Sequence, residues 1–271
     1  HRDLHYPLRR QRQMCIRDSL DTFKKWSDDL VMPVGNPDPS IDKVKDYLIS
    51  LKGFNEFFGD LLVERRANPT EDIISDVATA EVNDEELNDA EMLSMLQQFL
   101  VAGNETTTKL LTNLIHRLAV DSELEDRLRS NPDLIDNFIE EGLRYEAPVG
   151  GLFRMAKEDT KVNNVEIKSG DHLWVIYAAA NRDPEIFDDP DDFRVDRENA
   201  REHLAFGHGE HYCIGALLAR KEARIAIQLL LANIKNIQLV DDKNKYEYEE
   251  SFVLRGLKEL HVSYDVIALN P

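Results

Sequence analysis

The apolar positions in the first half of the chain repeat at helical spacing. They recur every three or four residues over 41–62, behind a suitable N-cap at Ser40, and again from Asn88 to Leu118. Glu91 lies three residues after Asn88, as in a capping box. These patterns predict two long helices. Shorter helices are predicted over 20–31, after a cap at Thr70, and over 122–129 and 134–145.

The pattern changes at Pro148, where β-branched and aromatic residues begin to alternate with turn signals. The region 181–212 has weak periodicity, which indicates a long loop, and such loops are usually functional. A helical pattern returns over 214–233. Strands are predicted over 152–156, 162–167, 172–178, 237–240, 251–254 and 260–266. Together the elements predict a mainly α fold with a minor β region, of the α+β class.

The composition is that of an ordinary globular protein. Of 271 residues, 42% are hydrophobic and 31% are charged. The sequence has no run of the ~20 apolar residues that a membrane-spanning helix needs. The net charge of −19 argues against nucleic acid as a partner, because phosphate binding requires a basic surface. Two cysteines cannot form a disulfide framework, so we expect a reducing, cytoplasmic compartment.

The charge is distributed unevenly along the chain. Residues 1–19 hold five Arg and two Asp, a net +3, so the other residues carry −22. This segment has no helical or strand period, and its RRQRQMCIRDS run resembles translated adapter sequence. We interpret 1–19 as a non-native leader, with a native basic arm as the alternative. Without Cys15, Cys213 is the single cysteine of residues 20–271.

The segment FGHGEHYCIG, residues 206–215, combines three glycines with this cysteine. The glycines predict a tight loop whose backbone closely approaches a bound group. Cys213 precedes the predicted helix 214–233, whose N-terminal N–H groups favour a thiolate. A thiolate in such a loop suits a soft metal. Two alternatives are a small buried cysteine without metal and a structural zinc, for which the candidate ligands are His203, His208, His211 and Cys213.

The segment AGNETTT, residues 102–108, places poor helix formers inside the second long helix. Glycine in a helix interior costs about 1 kcal/mol relative to alanine, and threonine hydroxyls can compete for backbone carbonyls and open the helix. Such a local conflict often marks a functional site. A polar notch between helices is the alternative.

Both segments resemble motifs of the cytochrome P-450 family, in its bacterial soluble type. The sequence 102–107 matches the family's A-G-x-E-T-T, and 206–215 matches F-G-x-G-x-H-x-C-x-G. The resemblance implies a cytochrome P-450 fold and a haem b cofactor whose iron takes Cys213 as its axial ligand. Thiolate donation of this kind favours O–O cleavage.

The resemblance also implies roles around the Cys213 loop. His211 and Arg154 would bind the haem propionates, and Phe206 would pack beside the thiolate, in a cradle that includes Gly207 and Gly215. The alternative for Arg154 is a solvent-exposed residue at a strand end.

In the helical segment, the resemblance implies that Glu105 and Thr106 deliver protons to bound dioxygen. Ala102 and Gly103 would let the helix approach the porphyrin from the side opposite Cys213.

Glu141 and Arg144 are spaced i, i+3 on a predicted helix. Such a pair is usually a weak surface contact. The resemblance implies instead an internal pair that braces the haem-binding core, with an Arg from a P-x-R-F run as its third member. Asp192 stands at that position here, which leaves Arg194 or Arg197 as substitutes.

The resemblance covers 20–271, which corresponds to the C-terminal portion of the family's single domain. It implies an N-terminally truncated chain that lacks further propionate ligands and the loops over the substrate pocket. A haem-binding but inactive fragment is therefore an alternative to an enzyme, and a structural metal or interaction protein is another.

The implied reaction inserts one atom of O2 into a small or medium hydrophobic organic substrate. No flavin or nicotinamide fingerprint is present, so electrons would come from an external ferredoxin- or flavodoxin-type donor. An acidic donor could meet Arg220, Lys221 and Arg224, although a solvated helix face explains them equally well. The implied pocket residues, each of which could also be core packing, are Leu100, Val101, Thr107, Val149, Leu152, Phe153, Phe252 and Val253.

Overall fold

The structure, a computed structural model, describes residues 20–82 and 84–267. The segment 1–19 with Cys15 lies outside the described residues, so its interpretation as a leader stays a prediction. None of the described helices combines the length and the hydropathy needed to cross a membrane.

Helices dominate the described chain, which confirms the predicted fold class. They are α1 (20–30), α2 (Ile41–Ala67), α3 (Ile73–Ala78), α4 (Asp89–Val120), α5 (Ser122–Ser130), α6 (Leu134–Tyr145), α7 (Tyr177–Ala180) and α8 (Ala216–Asn233). Helix α4 is continuous through 102–108, so the opening that the threonine run predicts does not occur.

Side-chain caps fix where the predicted helices begin. Asn88 and Glu91 exchange hydrogen bonds with each other's backbone N–H at 3.1 and 2.9 Å, which confirms the capping box of α4. The cap predicted at Thr70 is wrong. Asp72 caps α3 by accepting the N–H of Ser75 at 2.8 Å, and the Thr70 hydroxyl donates to that carboxylate instead.

The strands of the described residues pair as four short antiparallel ladders. These are β1 (Glu81–Val82) with β2 (Glu85–Glu86), β3 (Leu152–Met155) with β6 (His172–Val175), β4 (Thr160–Val162) with β5 (Val165–Ile167), and β7 (Ile234–Leu239) with β8 (Val262–Val266). The strand predicted over 162–167 is a hairpin, because Asn163 turns the chain at φ 51°. The strand predicted over 251–254 is reduced to a bridge between Leu254 and Val149.

The described residues form two compact units, divided between Glu105 and Thr106 inside α4. The core of the first unit is centred on Phe54, Leu62 and Met92. The second unit has a core built by α4, α6 and α8, in which Leu114, Phe138 and Ile227 are fully buried. The loop predicted over 181–212 contains short 3-10 turns at Ala200–Glu202 and Gly209–His211, and it leads into Cys213.

Candidate functional site

The Cys213 loop is closed by two backbone hydrogen bonds. The N–H of Cys213 donates to the carbonyl of Phe206 at 2.9 Å, and the N–H of Tyr212 donates to that of Gly209 at 3.0 Å. Gly207 and Gly209 adopt φ values of 73° and 74°, which strain other residues. A Cβ at Gly207 would find ordinary contacts of 3.5 Å or longer. Backbone conformation, rather than lack of space, therefore requires this glycine.

Cys213 is exposed and lies two residues before Gly215, the N-cap of α8. A Cβ at Gly215 would lie 3.8 Å from Sγ of Cys213. The neighbouring Ile214 and Leu217 are 90% and 82% exposed. The thiol is thus set in an open apolar surface at a helix N-terminus, where a negative charge is favoured.

The side chains near Cys213 that could ligate a metal indicate which metal the loop fits. Within residues 20–82 and 84–267, no group of three His, Cys, Asp or Glu side chains could hold a metal ion. His203 is buried, and both of its ring nitrogens have partners. The proposed zinc ligands therefore do not form a zinc site. A single thiol beside open apolar surface fits a metal that carries its own equatorial ligands, as haem iron does.

Glu141 and Arg144 form a fully buried ion pair at the base of the long loop. Two guanidinium nitrogens of Arg144 donate to the carboxylate at 2.7 and 2.8 Å. Arg197, 3% exposed, occupies the third position, with Nε 3.1 Å from both oxygens of Glu141. Arg194 contributes only its backbone N–H, and Asp192 contributes its carbonyl to both guanidinium groups. This network ties the loop that precedes Cys213 to α6.

A second buried network, which the sequence reasoning missed, is centred on Glu140. His203 Nε2 lies 3.1 Å from its carboxylate, and Arg220 makes two contacts at 2.7 and 2.9 Å. Burial alone would raise the pKa of Glu140, but the hydrogen bonds from His203 and Arg220 outweigh it and lower the pKa to about 2. The hydrogen bond to Glu140 in turn raises the pKa of Arg220.

Arg154 and His211 occupy different environments. Arg154 lies on β3, and its guanidinium donates to the carbonyl of Phe153 at 2.8 Å and to the hydroxyl of Tyr177 at 3.5 Å. That hydroxyl is 3.6 Å from the Cβ position of Gly207, so Tyr177 links Arg154 to the Cys213 loop. His211 lies in the same loop with an exposed side chain.

In the first unit, Glu105 is 8% exposed and accepts a hydrogen bond from the Ser27 hydroxyl at 3.1 Å. Asn104 donates to the same hydroxyl at 2.9 Å. Ala102 and Gly103 are exposed, and a Cβ at Gly103 would meet no atom within 4 Å. The helix therefore presents an open face here, beside a buried carboxylate. Thr106 begins the second unit and is half-buried.

The predicted pocket residues separate into two groups. Leu100 and Val101 pack against the core of the first unit, and Thr107 is half-buried in the second. Phe153 and Phe252 form an aromatic cluster with Trp174, which the sequence reasoning missed, and the ring centroids lie 5.7–6.1 Å apart. All three are more than 40% exposed. Around this cluster lie half-buried Val149, 40% exposed Leu152 and buried Val253.

A surface cavity of about 450 Å³ opens between α6 and α8. Its basic side chains are Arg201, Arg220, Lys221 and Arg224, and its acidic ones are Glu140 and Asp136. Asp136 pairs with Arg224 at 3.1 Å. With four cations and two anions, the lining has a net charge of +2 in a chain of −19.

Comparison with known proteins adds independent findings. The family model described as Cytochrome P450 matches residues 29–261. A relative described as Cytochrome P450, from Bacillus subtilis (strain 168), is 37% identical over 243 residues, which cover 89% of this chain and 58% of the relative. The chain thus spans about three fifths of the relative's length.

Solved structures are similar as well. Cytochrome P450 CYP109Q5 from Chondromyces apiculatus matches with a TM-score of 0.81 and 35% identity, over 93% of this chain and 61% of that one. CYP109E1 from Bacillus megaterium, in complex with corticosterone, matches with a TM-score of 0.80 and 34% identity, over 90% of this chain and 65% of that one.

Proposed function

Since the chain belongs to the cytochrome P450 family, whose members bind haem b, we propose that it works as a haem-thiolate monooxygenase. The observation that carries the proposal is the exposed thiol of Cys213, held by a glycine loop at the start of α8. Bound haem would supply the activation of O2, and one oxygen atom would enter the substrate while the other leaves as water.

Different residues of the chain would ligate the haem iron, shield the thiolate and bind the propionates. Cys213 would ligate the iron, Phe206 would shield the thiolate, and His211 and Arg154 would bind the propionates. Exposed His211 is accessible to such an anion, and the weak 3.5 Å contact of Arg154 with Tyr177 leaves its guanidinium able to reorient.

Glu105 would pass protons to Thr106 for the oxygen that leaves as water. Its burial keeps it away from bulk solvent, and its contact with the Ser27 hydroxyl gives it a neighbouring group that can also donate and accept a proton. Ala102 and Gly103 would form the open helix face against which the porphyrin lies.

For the substrate, we propose a hydrophobic organic molecule that packs on Phe153, Trp174 and Phe252. When an apolar ligand packs on exposed aromatic side chains, the apolar surface of both is removed from water, which lowers the free energy. Corticosterone, which is bound in the CYP109E1 structure, is a suitable first probe. The same exposure favours a second candidate function, haem binding without turnover, because an open aromatic surface encloses a substrate poorly.

The basic cavity between α6 and α8 would receive an acidic electron donor of ferredoxin or flavodoxin type. Arg201, Lys221 and Arg224 supply its exposed cations, and opposite charges accelerate association. Lys221→Glu with Arg224→Glu should lower the rate of reduction by a reduced ferredoxin about tenfold or more at low salt. Lys161→Glu, on exposed β4, is the control, and equal rates in all three proteins would contradict this docking site.

We assign the protein to the cytoplasm, where a reducing environment keeps the thiol free.

The haem ligand is tested by the absorbance of the reduced, carbon monoxide-bound protein. We expect the strongly red-shifted Soret band of a thiolate ligand, and its loss in Cys213→Ser. Cys15→Ser is the matched control, because it removes the other cysteine of the sequence and should leave the band unchanged. A thiolate-type band that persists in Cys213→Ser refutes the ligand assignment. A correctly ligated protein that forms neither peroxide nor hydroxylated product when it is supplied with electrons and O2 would favour haem binding without turnover.

A further inference from the structure

Arg220 contacts both ends of the loop that carries Cys213. Its guanidinium carbon lies 4.6 Å from the centre of the Phe206 ring, and Nη1 donates to the Tyr212 hydroxyl at 3.2 Å. Phe206 and Cys213 are joined by the backbone hydrogen bond that closes the loop. One cation on α8 thus holds the residue at the start of the loop and the residue just before the thiol.

The buried carboxylate of Glu140 fixes the orientation of this guanidinium. Nε and Nη2 of Arg220 donate to its two oxygens, which leaves Nη1 for Tyr212. His203 holds the same carboxylate from another side. Its Nδ1 accepts the N–H of Ala205 at 3.1 Å, so a neutral ring carries its proton on Nε2 and donates to Glu140 at 3.1 Å. A planar guanidinium in such a bidentate pair has little freedom to turn.

We propose that Arg220 is a positioning residue, anchored by Glu140, that holds the Cys213 loop in its closed form through Phe206 and Tyr212. The consequence of this inference for the iron rests on the proposed ligand role of Cys213. The closed loop places the thiol at the start of α8, whereas an open loop would let Sγ leave that position.

Lys221 offers a matched control for Arg220. It lines the same cavity from the next position of α8, and a helix turns successive side chains by about 100°. Lys221→Gln and Arg220→Gln therefore remove the same charge from the same cavity, and only the second removes the cation from Phe206 and Tyr212.

The test measures amide hydrogen exchange over 206–213 in the full chain without added haem. Arg220→Gln should accelerate exchange at the amides of Tyr212 and Cys213 by about fivefold or more, because a cation–π contact and a hydrogen bond are lost. Lys221→Gln should leave their exchange unchanged. Equal exchange in the two variants overturns the proposal.

Tyr212→Phe keeps the test decisive if Arg220→Gln does not fold. The tyrosine is 49% exposed, and the change removes only the hydroxyl that accepts from Arg220. It should accelerate exchange at Cys213 by about twofold or more, and it should add little in an Arg220→Gln background. Wild-type exchange in Tyr212→Phe would overturn the proposal.

Haem loading separates this inference from the proposed function. The reduced, carbon monoxide-bound wild type and Lys221→Gln should give a thiolate-type Soret band, and Arg220→Gln should lose part of it. A full thiolate band in Arg220→Gln would contradict the positioning role. A histidine-type band in the wild type would refute Cys213 as ligand, and the exchange experiment would still decide whether Arg220 holds the loop.

Discussion

At the scale of single residues, the structure resolves what supports the Cys213 loop. The i, i+3 spacing of Glu141 and Arg144 allows a contact on one helix, but only the resemblance to the family indicated that the pair is internal. Arg197 lies 56 residues from Glu141, and His203 lies 63 residues from Glu140. Their pairing depends on the path of the long loop, which carries no periodic pattern, so the sequence indicated neither the contact of His203 with Glu140 nor the choice between Arg194 and Arg197.

Arg197 and Arg194 differ sharply in burial, which gives a matched pair of substitutions. Arg197→Gln removes a buried cation that contacts both oxygens of Glu141, and we expect a loss of about 3–5 kcal/mol in the free energy of unfolding. Arg194 is 44% exposed at its side chain, so Arg194→Gln should stay within about 0.5 kcal/mol. Urea unfolding measures both, and similar losses would contradict the third-member role of Arg197.

Glu140 predicts a particular dependence of stability on pH. Its pKa is lowered from 4.5 to about 2 in the folded protein, where Arg220, His203 and Arg201 face the carboxylate. Because the folded pKa lies below the unfolded value, the stabilisation is complete above pH 4.5 and is lost as the pH falls towards 2.

Glu140→Gln should therefore flatten the fall in the free energy of unfolding over this range. Urea titrations at several pH values compare it with Glu222→Gln, which removes the same charge from an exposed position of α8. A slope in Glu140→Gln as steep as that of the wild type would contradict the assignment.

At the scale of elements, periodicity predicted the helices well because their buried faces repeat every 3.6 residues. The error in the predicted start of α3 comes from competition between neighbouring side chains for hydrogen bonds. Asp72 displaced Thr70 as the cap of α3 because its carboxylate reaches the N–H of Ser75. Over 162–167, the turn signal at Asn163-Asn164 falls inside the predicted strand, and the chain turns there because Asn163 tolerates a positive φ.

Two helical glycines predict opposite effects of alanine. A Cβ at Gly142 of α6 would overlap Cδ2 of Leu114 on α4, and Leu114 is fully buried. Gly142→Ala should therefore cost about 1–3 kcal/mol through overpacking between these helices.

A Cβ at Gly59 of α2 would meet nothing within 4 Å. Gly59→Ala should stabilise the protein by up to about 1 kcal/mol through helix propensity. Thermal unfolding followed by circular dichroism measures both variants. Destabilisation by Gly59→Ala, or none by Gly142→Ala, would contradict the packing described here.

At the scale of the whole chain, net charge and composition could be taken from the sequence, but the exposed apolar surfaces could not. Ile214, Leu217 and Leu218 are exposed at the start of α8, and Phe153 and Trp174 are exposed on the β3–β6 ladder. A sequence pattern predicts that apolar residues of this kind are buried in the core. Exposed together in a folded unit, they mark surfaces that gain stability when covered.

Haem should cover part of this surface, and its effect on stability can be separated from that of the iron–thiolate bond. A ligand that binds only the folded state at 100 times its Kd stabilises it by about 2.7 kcal/mol. For a chain of this size, that raises the unfolding midpoint by about 5 °C. Iron-free protoporphyrin should produce a smaller shift, because it offers the same apolar plane without a metal for Cys213. In Cys213→Ser the two porphyrins should produce equal shifts. Equal shifts in the wild type would mean that the porphyrin is held by the apolar surface alone, without a contribution from the thiolate.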